Sequence, residues 1–176
     1  HQGLGPCAVY LRLFKSLPPH QAVPEAKQRM KEISVAIRTA EVGDYLVYLP
    51  LFTLLYHGDI GPNFRRTFEE YATKEEGVVL LAEQQHTLVG ILVGSYHLDI
   101  DWEGQTARID ALIVDEACRT RGIAKKLMQH YLDLAIKKKS RAVKSRVNVK
   151  NVIARKFHES LGFSRADTYE YIKDLP

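Results

Sequence analysis

At 176 residues, 45% hydrophobic and 26% charged, the chain is long enough to bury one substantial core and too evenly mixed for a disordered or fibrous protein. No apolar run reaches the roughly twenty residues a membrane helix needs, so no membrane partner is expected. The formal net charge of +4 is uneven: residues 1–100 carry 9 Lys or Arg against 11 Asp or Glu, whereas residues 101–176 carry 16 against 10.

Residues 1–32 hold Pro6, Pro18, Pro19 and Pro24 and are set apart as an N-terminal extension or an expression remnant. A single domain is expected over 33–176. Ile33, Val35 and Ile37 alternate with small or polar residues, as in a half-buried strand. A helical pattern follows from Glu41 to Tyr56 through Val42, Leu46 and Leu49, with Pro50 expected to kink or divide it. Asn63 stands where it would cap a helix running through Phe64, Phe68 and Tyr71 to about Glu76. Val78 to Ala82 and Leu88 to Tyr96 are apolar, β-branched runs either side of a short polar turn, which predicts an antiparallel hairpin. After a turn around Gly104, Ala107 to Val114 reads as the next strand.

The helix after Gly122 places Ile123, Leu127, Tyr131 and Leu134 on one stripe, flanked by Ala124, Met128 and Ala135. Val143, Ser145, Val147 and Val149 alternate as a strand. Asn151 opens a further helix, Gly162 ends it, and Tyr169 to Lys173 reads as a last strand.

Between strand and helix stands Arg119-Thr120-Arg121-Gly122-Ile123-Ala124. A helix that opens on glycine turns its first N–H groups toward any anion that can approach without meeting a Cβ, and the macrodipole adds about half a positive charge there. An ordinary strand-to-helix turn is the competing reading, because such a spacing arises by chance at about one position in a thousand. A second segment, Asn151-Val152-Ile153-Ala154-Arg155-Lys156-Phe157-His158 through Leu161-Gly162-Phe163, changes the odds. Together the two segments resemble the GNAT superfamily of N-acetyltransferases. In that family an R/Q-x-x-G-x-G/A loop holds the pyrophosphate of acetyl-CoA, and an N-x-x-A-x-x-F/L-Y segment lies beside its pantetheine arm. His158 stands where the family usually has tyrosine.

The resemblance implies an α/β (α+β) fold: a mixed, mostly antiparallel central sheet of six to seven strands, splayed between strands 4 and 5 and flanked by about four helices. It implies that Leu112, Ile113 and Val114 pair with the pantetheine arm through their backbone. It also implies that Arg119, Thr120, Arg121, Gly122, Ile123, Ala124 and Lys125 form the pyrophosphate loop, and that Asn151 touches the arm. Asn151 is equally explained as a helix cap. An ammonium acceptor must lose a proton before it attacks a thioester, so an acid group near that end of the strand is required. Asp110 interrupts an apolar run there and, by alternation, shares a face with Leu112 and Val114. The alternative is that it simply pairs with Arg108. His158 is the candidate acid for the departing thiolate, with packing as its alternative. The main chain of Ile113 is the candidate donor to the thioester oxygen.

The implied activity is direct transfer of acetyl from acetyl-CoA to a primary amine on a small molecule or peptide, without a metal. The rival is a non-catalytic module that binds coenzyme A as a sensor. Nucleic acid is not the expected partner, because the lysines at 137–139 close a helix, where cations offset its dipole. Similar proteins are commonly homodimers. Two cysteines are too few for a disulfide framework, and the expected location is the cytoplasm.

Overall fold

The computed structural model describes residues 34–55, 60–168, 170 and 172–173. The expectations for residues 1–33 and for 56–59 lie outside them. Strand β1 (Ala36–Thr39) leads through a 3-10 turn, Val42–Asp44, into helix α1 (Tyr45–Leu55), which is followed by helix α2 (Phe64–Thr73). Strands β2 (Gly77–Gln84), β3 (Thr87–Asp99) and β4 (Gly104–Val114) come next. A second 3-10 turn, Glu116–Cys118, precedes helix α3 (Ile123–Lys137), strand β5 (Val143–Ser145) and helix α4 (Val152–Ser160). The chain divides into two compact units at Ser145–Arg146.

In the first unit the five strands lie in sequence order in one sheet, antiparallel except for the parallel β4–β5 pair. A two-residue turn joins β2 to β3, with Gln85 and His86 both at positive φ, as the twist of a tight hairpin requires. One face of the sheet buries Val79, Leu81, Ile91, Val93 and Ile113 against Tyr48, Leu51 and Phe52 of α1 and Phe68 of α2. Each such side chain contributes about 1.5–3 kcal/mol by leaving water. The opposite face receives Ile123, Leu127, Met128, Tyr131 and Ala135 of α3. That helix can approach because Gly94 has no side chain: a Cβ there would sit 2.4 Å from the Tyr131 ring.

Several expectations change. Among the described residues there are five strands, not six to seven. The strand expected over 143–149 stops at Ser145, because Asn148 draws the chain into a turn: its side chain accepts from the Lys150 N–H at 2.8 Å and its carbonyl accepts from the Asn151 N–H at 2.8 Å. Of the expected last strand, Tyr169 and Tyr171 lie outside the described residues, and Glu170, Ile172 and Lys173 are not in a strand. Helix α1 contains Pro50 undivided, and it buries Tyr48, Leu51 and Phe52 while Leu46 is exposed; a helix apolar on every side carries no phase for periodicity to read. Asn63 occupies the N-cap of α2 without a side-chain bond, its carbonyl instead receiving the Thr67 N–H and hydroxyl.

Cys118 is buried and disulfide-bonded, so the cysteine count lends no weight to a reducing compartment. No helix of the described residues is long and apolar enough to cross a membrane.

In the second unit, α4 is capped by Asn151, whose Oδ1 accepts from the Ala154 N–H at 2.9 Å. Its C-terminus turns at Gly162, φ +85°, where the Phe163 N–H returns to the His158 carbonyl at 3.1 Å.

Candidate functional site

The segment from β4 to α3 is built by local rules. Asp115 accepts from the Ala117 N–H at 2.8 Å and so starts the 3-10 turn. Arg119 is held at 2.9 Å by Glu116, and Thr120 follows at φ +64° with its hydroxyl on the Arg119 carbonyl. Gly122 then takes the left-handed conformation, φ +78°, as the N-cap of α3. The Lys126 N–H bonds the Gly122 carbonyl at 3.0 Å, so the N–H groups of Ile123, Ala124 and Lys125 come before the first intrahelical acceptor and point out of the helix end. No described residue lies within 4 Å of where a Gly122 Cβ would be, and Arg121 and Lys125 are exposed beside it in sequence. A main-chain anion cradle of this form suits a diphosphate.

Beside it, the β4–β5 ladder runs through Ala107–Val143, Arg108–Lys144 and Ile109–Ser145 and ends. Strand β4 continues for five residues more, through Leu112, Ile113 and Val114, with β3 on its other edge. That leaves a stretch of strand edge unclaimed by β5, which an extended amide-bearing chain can pair with.

Asp110 is the first residue past the last β4–β5 pair. It is also the extra residue of a bulge, since Val93 faces Ala111 and Gly94 faces Ile109. The bulge overturns the alternation read from sequence. Asp110 does not share a face with Leu112: it turns toward α2, the side on which Val93, Ala111 and Ile113 also pack. There the Ser95 hydroxyl donates to its Oδ2 at 2.6 Å, the Tyr71 hydroxyl to the same oxygen at 3.1 Å, and Arg108 Nε to Oδ1 at 2.6 Å. Burial, then the Asp110 charge, raise the Tyr71 phenol above its ordinary value. Burial lowers the Arg108 guanidinium, but the Asp110 carboxylate more than offsets it. Tyr131 fixes the bulge from the opposite face, its buried hydroxyl donating to the carbonyls of Ser95 and Arg108.

His158 lies on α4 in the second unit, edge-on to Phe157 and Phe163. Its Nδ1 is 2.8 Å from the Ala154 carbonyl, so Nδ1 carries a proton and Nε2 is the nitrogen free to exchange one. That Nε2 is buried and has no hydrogen-bond partner among the described residues.

Residues 48–163 match the model of the acetyltransferase (GNAT) family. The chain belongs to that family. A GNAT acetyltransferase fold is also what the similar solved structures share. An aminoglycoside N-acetyltransferase in complex with CoA has a TM-score of 0.74 at 19% identity, over 81% of this chain and 95% of its own. An aminoglycoside 6'-N-acetyltransferase from Acinetobacter baumannii has 0.71 at 20%, over 81% and 99%. A ribosomal-protein-alanine N-acetyltransferase from Brucella melitensis biovar Abortus 2308 has 0.67 at 20%, over 81% and 100%. At these identities the likeness is one of fold, and no curated protein matches at the sequence level.

For a GNAT chain, then, Leu112 to Val114 and Arg119 to Lys125 form one continuous stretch at the open end of β4. Asn151 and His158 belong to the other unit. Nothing in the sequence marks Tyr71 or Ser95 as a partner of Asp110, whereas Arg108 is its alternative pairing. Tyr71 follows Phe64 and Phe68 at helical spacing and reads as core. The only sequence signal was Asp110 itself, a charge inside an apolar run.

Proposed function

We propose that the chain is an acetyl-CoA-dependent N-acetyltransferase acting on a primary amine in a ternary complex. The observation that carries this is the Gly122 helix opening, where no described residue would meet a Cβ, following the stretch of β4 that β5 leaves unpaired. Residues 33–176 are read as one domain, because the family match crosses the division between the two units.

In this reading the N–H groups of Ile123, Ala124 and Lys125 take the pyrophosphate, with Arg119, Thr120, Arg121 and Gly122 shaping the approach. Along the edge of β4 that β5 leaves, the main chain of Leu112 and Val114 hydrogen-bonds the pantetheine arm, while Ile113, in register with Ile91, turns its own N–H to β3; Asn151 contributes from its helix start. The bound thioester supplies the acetyl group. Asp110, oriented by three donors, keeps about one of a carboxylate's four lone-pair positions open. It accepts one proton from the acceptor ammonium and passes it to solvent. The neutral nitrogen forms the C–N bond, the C–S bond breaks, and the nitrogen's second proton ends on sulfur, by way of His158 Nε2. Products are the N-acetyl amine and the free thiol.

Isothermal titration of acetyl-CoA into the full chain should show saturable binding that Gly122→Glu abolishes. Equal binding by that variant would remove the loop from the proposal. Thiol release over a panel of amines then separates enzyme from sensor, since a sensor binds the cosubstrate and releases no acceptor-dependent thiol.

A further inference from the structure

The ion pair at the β4 bulge is half used. Arg108 gives Nε to Asp110 and makes a further contact to the Tyr71 hydroxyl, leaving Nη donors along its outer edge, and 39% of its side chain is accessible. Its neighbours do not compete for that edge. Lys144, opposite it on β5, is committed to Asp99 and lies 5.8 Å from the Trp102 ring centre. Ser95, opposite it on β3, gives its hydroxyl to Asp110. A carboxylate with room for one more donor therefore sits against a guanidinium that still has Nη donors to offer, at the place where β4 and β5 part.

Two adjacent opposite charges are complementary to a zwitterion. We infer that the acceptor is an amine bearing its own carboxylate on the neighbouring carbon, that is, a free α-amino acid. Its ammonium lies on Asp110 and its carboxylate on the Nη edge of Arg108, where the planar fork matches a carboxylate bidentately. A polycationic amino sugar fits poorly, because the single acid of the cluster is already paired and the next charge it would meet is Arg108. A peptide N-terminus also fits poorly, since it carries an amide where the carboxylate should be. The partial burial of the cluster strengthens both contacts over their value in water. The inference rests on the acetyltransferase reading above and adds the acceptor class and a specificity-determining residue, Arg108.

The test compares amino acids with their decarboxylated amines, their amides and an aminoglycoside, by thiol release with saturating acetyl-CoA. The intact chain should favour the amino acid over its decarboxylated amine at least tenfold in kcat/KM. Arg108→Gln and Arg108→Lys should bring that ratio to about one, chiefly by raising KM for the amino acid, with cosubstrate affinity unchanged. Taking the ratio cancels any effect of the substitution on Asp110, and a melting curve confirms that each variant is folded. Equal or better turnover of the amine, the amide or the aminoglycoside overturns the inference while leaving the enzyme reading intact. If no amine releases thiol, calorimetry of the same amino acids against the CoA-saturated chain decides: Arg108-dependent binding sustains the inference without the enzyme, and no binding ends both.

Discussion

Single residues at this site do more than one thing, and His158 shows it. Its Nδ1 is tied to a backbone carbonyl of its own helix while Nε2 is buried with no partner among the described residues. A buried unpaired nitrogen costs about 1–3 kcal/mol unless a ligand or a proton donor meets it. Packing alone would be served as well by phenylalanine, which has nearly the same shape and no such cost. His158→Phe should therefore lower kcat about 10- to 100-fold in a thiol-release assay, a modest loss for an acid assisting a good leaving group. The acetyl-CoA dissociation constant should stay within about twofold, and melting should not fall. An unchanged kcat would assign the ring to packing between Phe157 and Phe163. The sequence displayed His158, Asp110 and Gly122, because each breaks a local pattern. It did not display Tyr71 or Ser95, whose hydroxyls look like any other until a bulge brings Asp110 to them.

At the scale of elements, α3 both packs the sheet and presents the cradle, so its seating on β3 sets where the cradle lies. Gly94 is a point of close approach, and a methyl there would lie 2.4–2.6 Å from two ring carbons and the hydroxyl oxygen of Tyr131. Tyr131 cannot yield freely, because it bonds both strands at the bulge. Gly94→Ala should destabilise the protein by about 1–3 kcal/mol, as overpacking does, read from urea unfolding. It should also weaken acetyl-CoA binding, because α3 must shift to accommodate it. Wild-type stability in that variant would mean the helix seats less tightly than the geometry requires. The stripe on α3 was legible in sequence, with Ile123, Leu127, Met128, Tyr131 and Ala135 all buried. The closing lysines were legible only in part. Lys138 does more than offset a dipole: it donates to the Glu75 carbonyl at 2.7 Å and lies over the Tyr96 ring.

At the scale of the whole molecule, the link between β1 and α1 is electrostatic. Arg38 bonds Asp44, Glu83 and the Tyr48 hydroxyl. The Arg38 guanidinium, despite the opposing cost of burial, holds the Asp44 carboxyl down at about 2, below its ordinary 3.8. A depressed folded value stabilises above the unfolded one and is lost as pH falls through the folded one. The contribution should thus be full above pH 5 and vanish between about pH 4 and pH 2; with partial exposure it amounts to about 1–2 kcal/mol. Asp44→Asn should unfold more easily than wild type at pH 6, and the gap should close over that acid window. A gap independent of pH would mean the pair contributes nothing through charge. Sequence by itself determined the order of strands and helices and the glycine-opened cradle, because both rest on contacts between near neighbours in the chain. The early end of β5 and the company Asp110 keeps were decided only by tertiary structure. One extra residue in a strand redirects every side chain beside it, and no periodicity along the chain records which partner strand makes room.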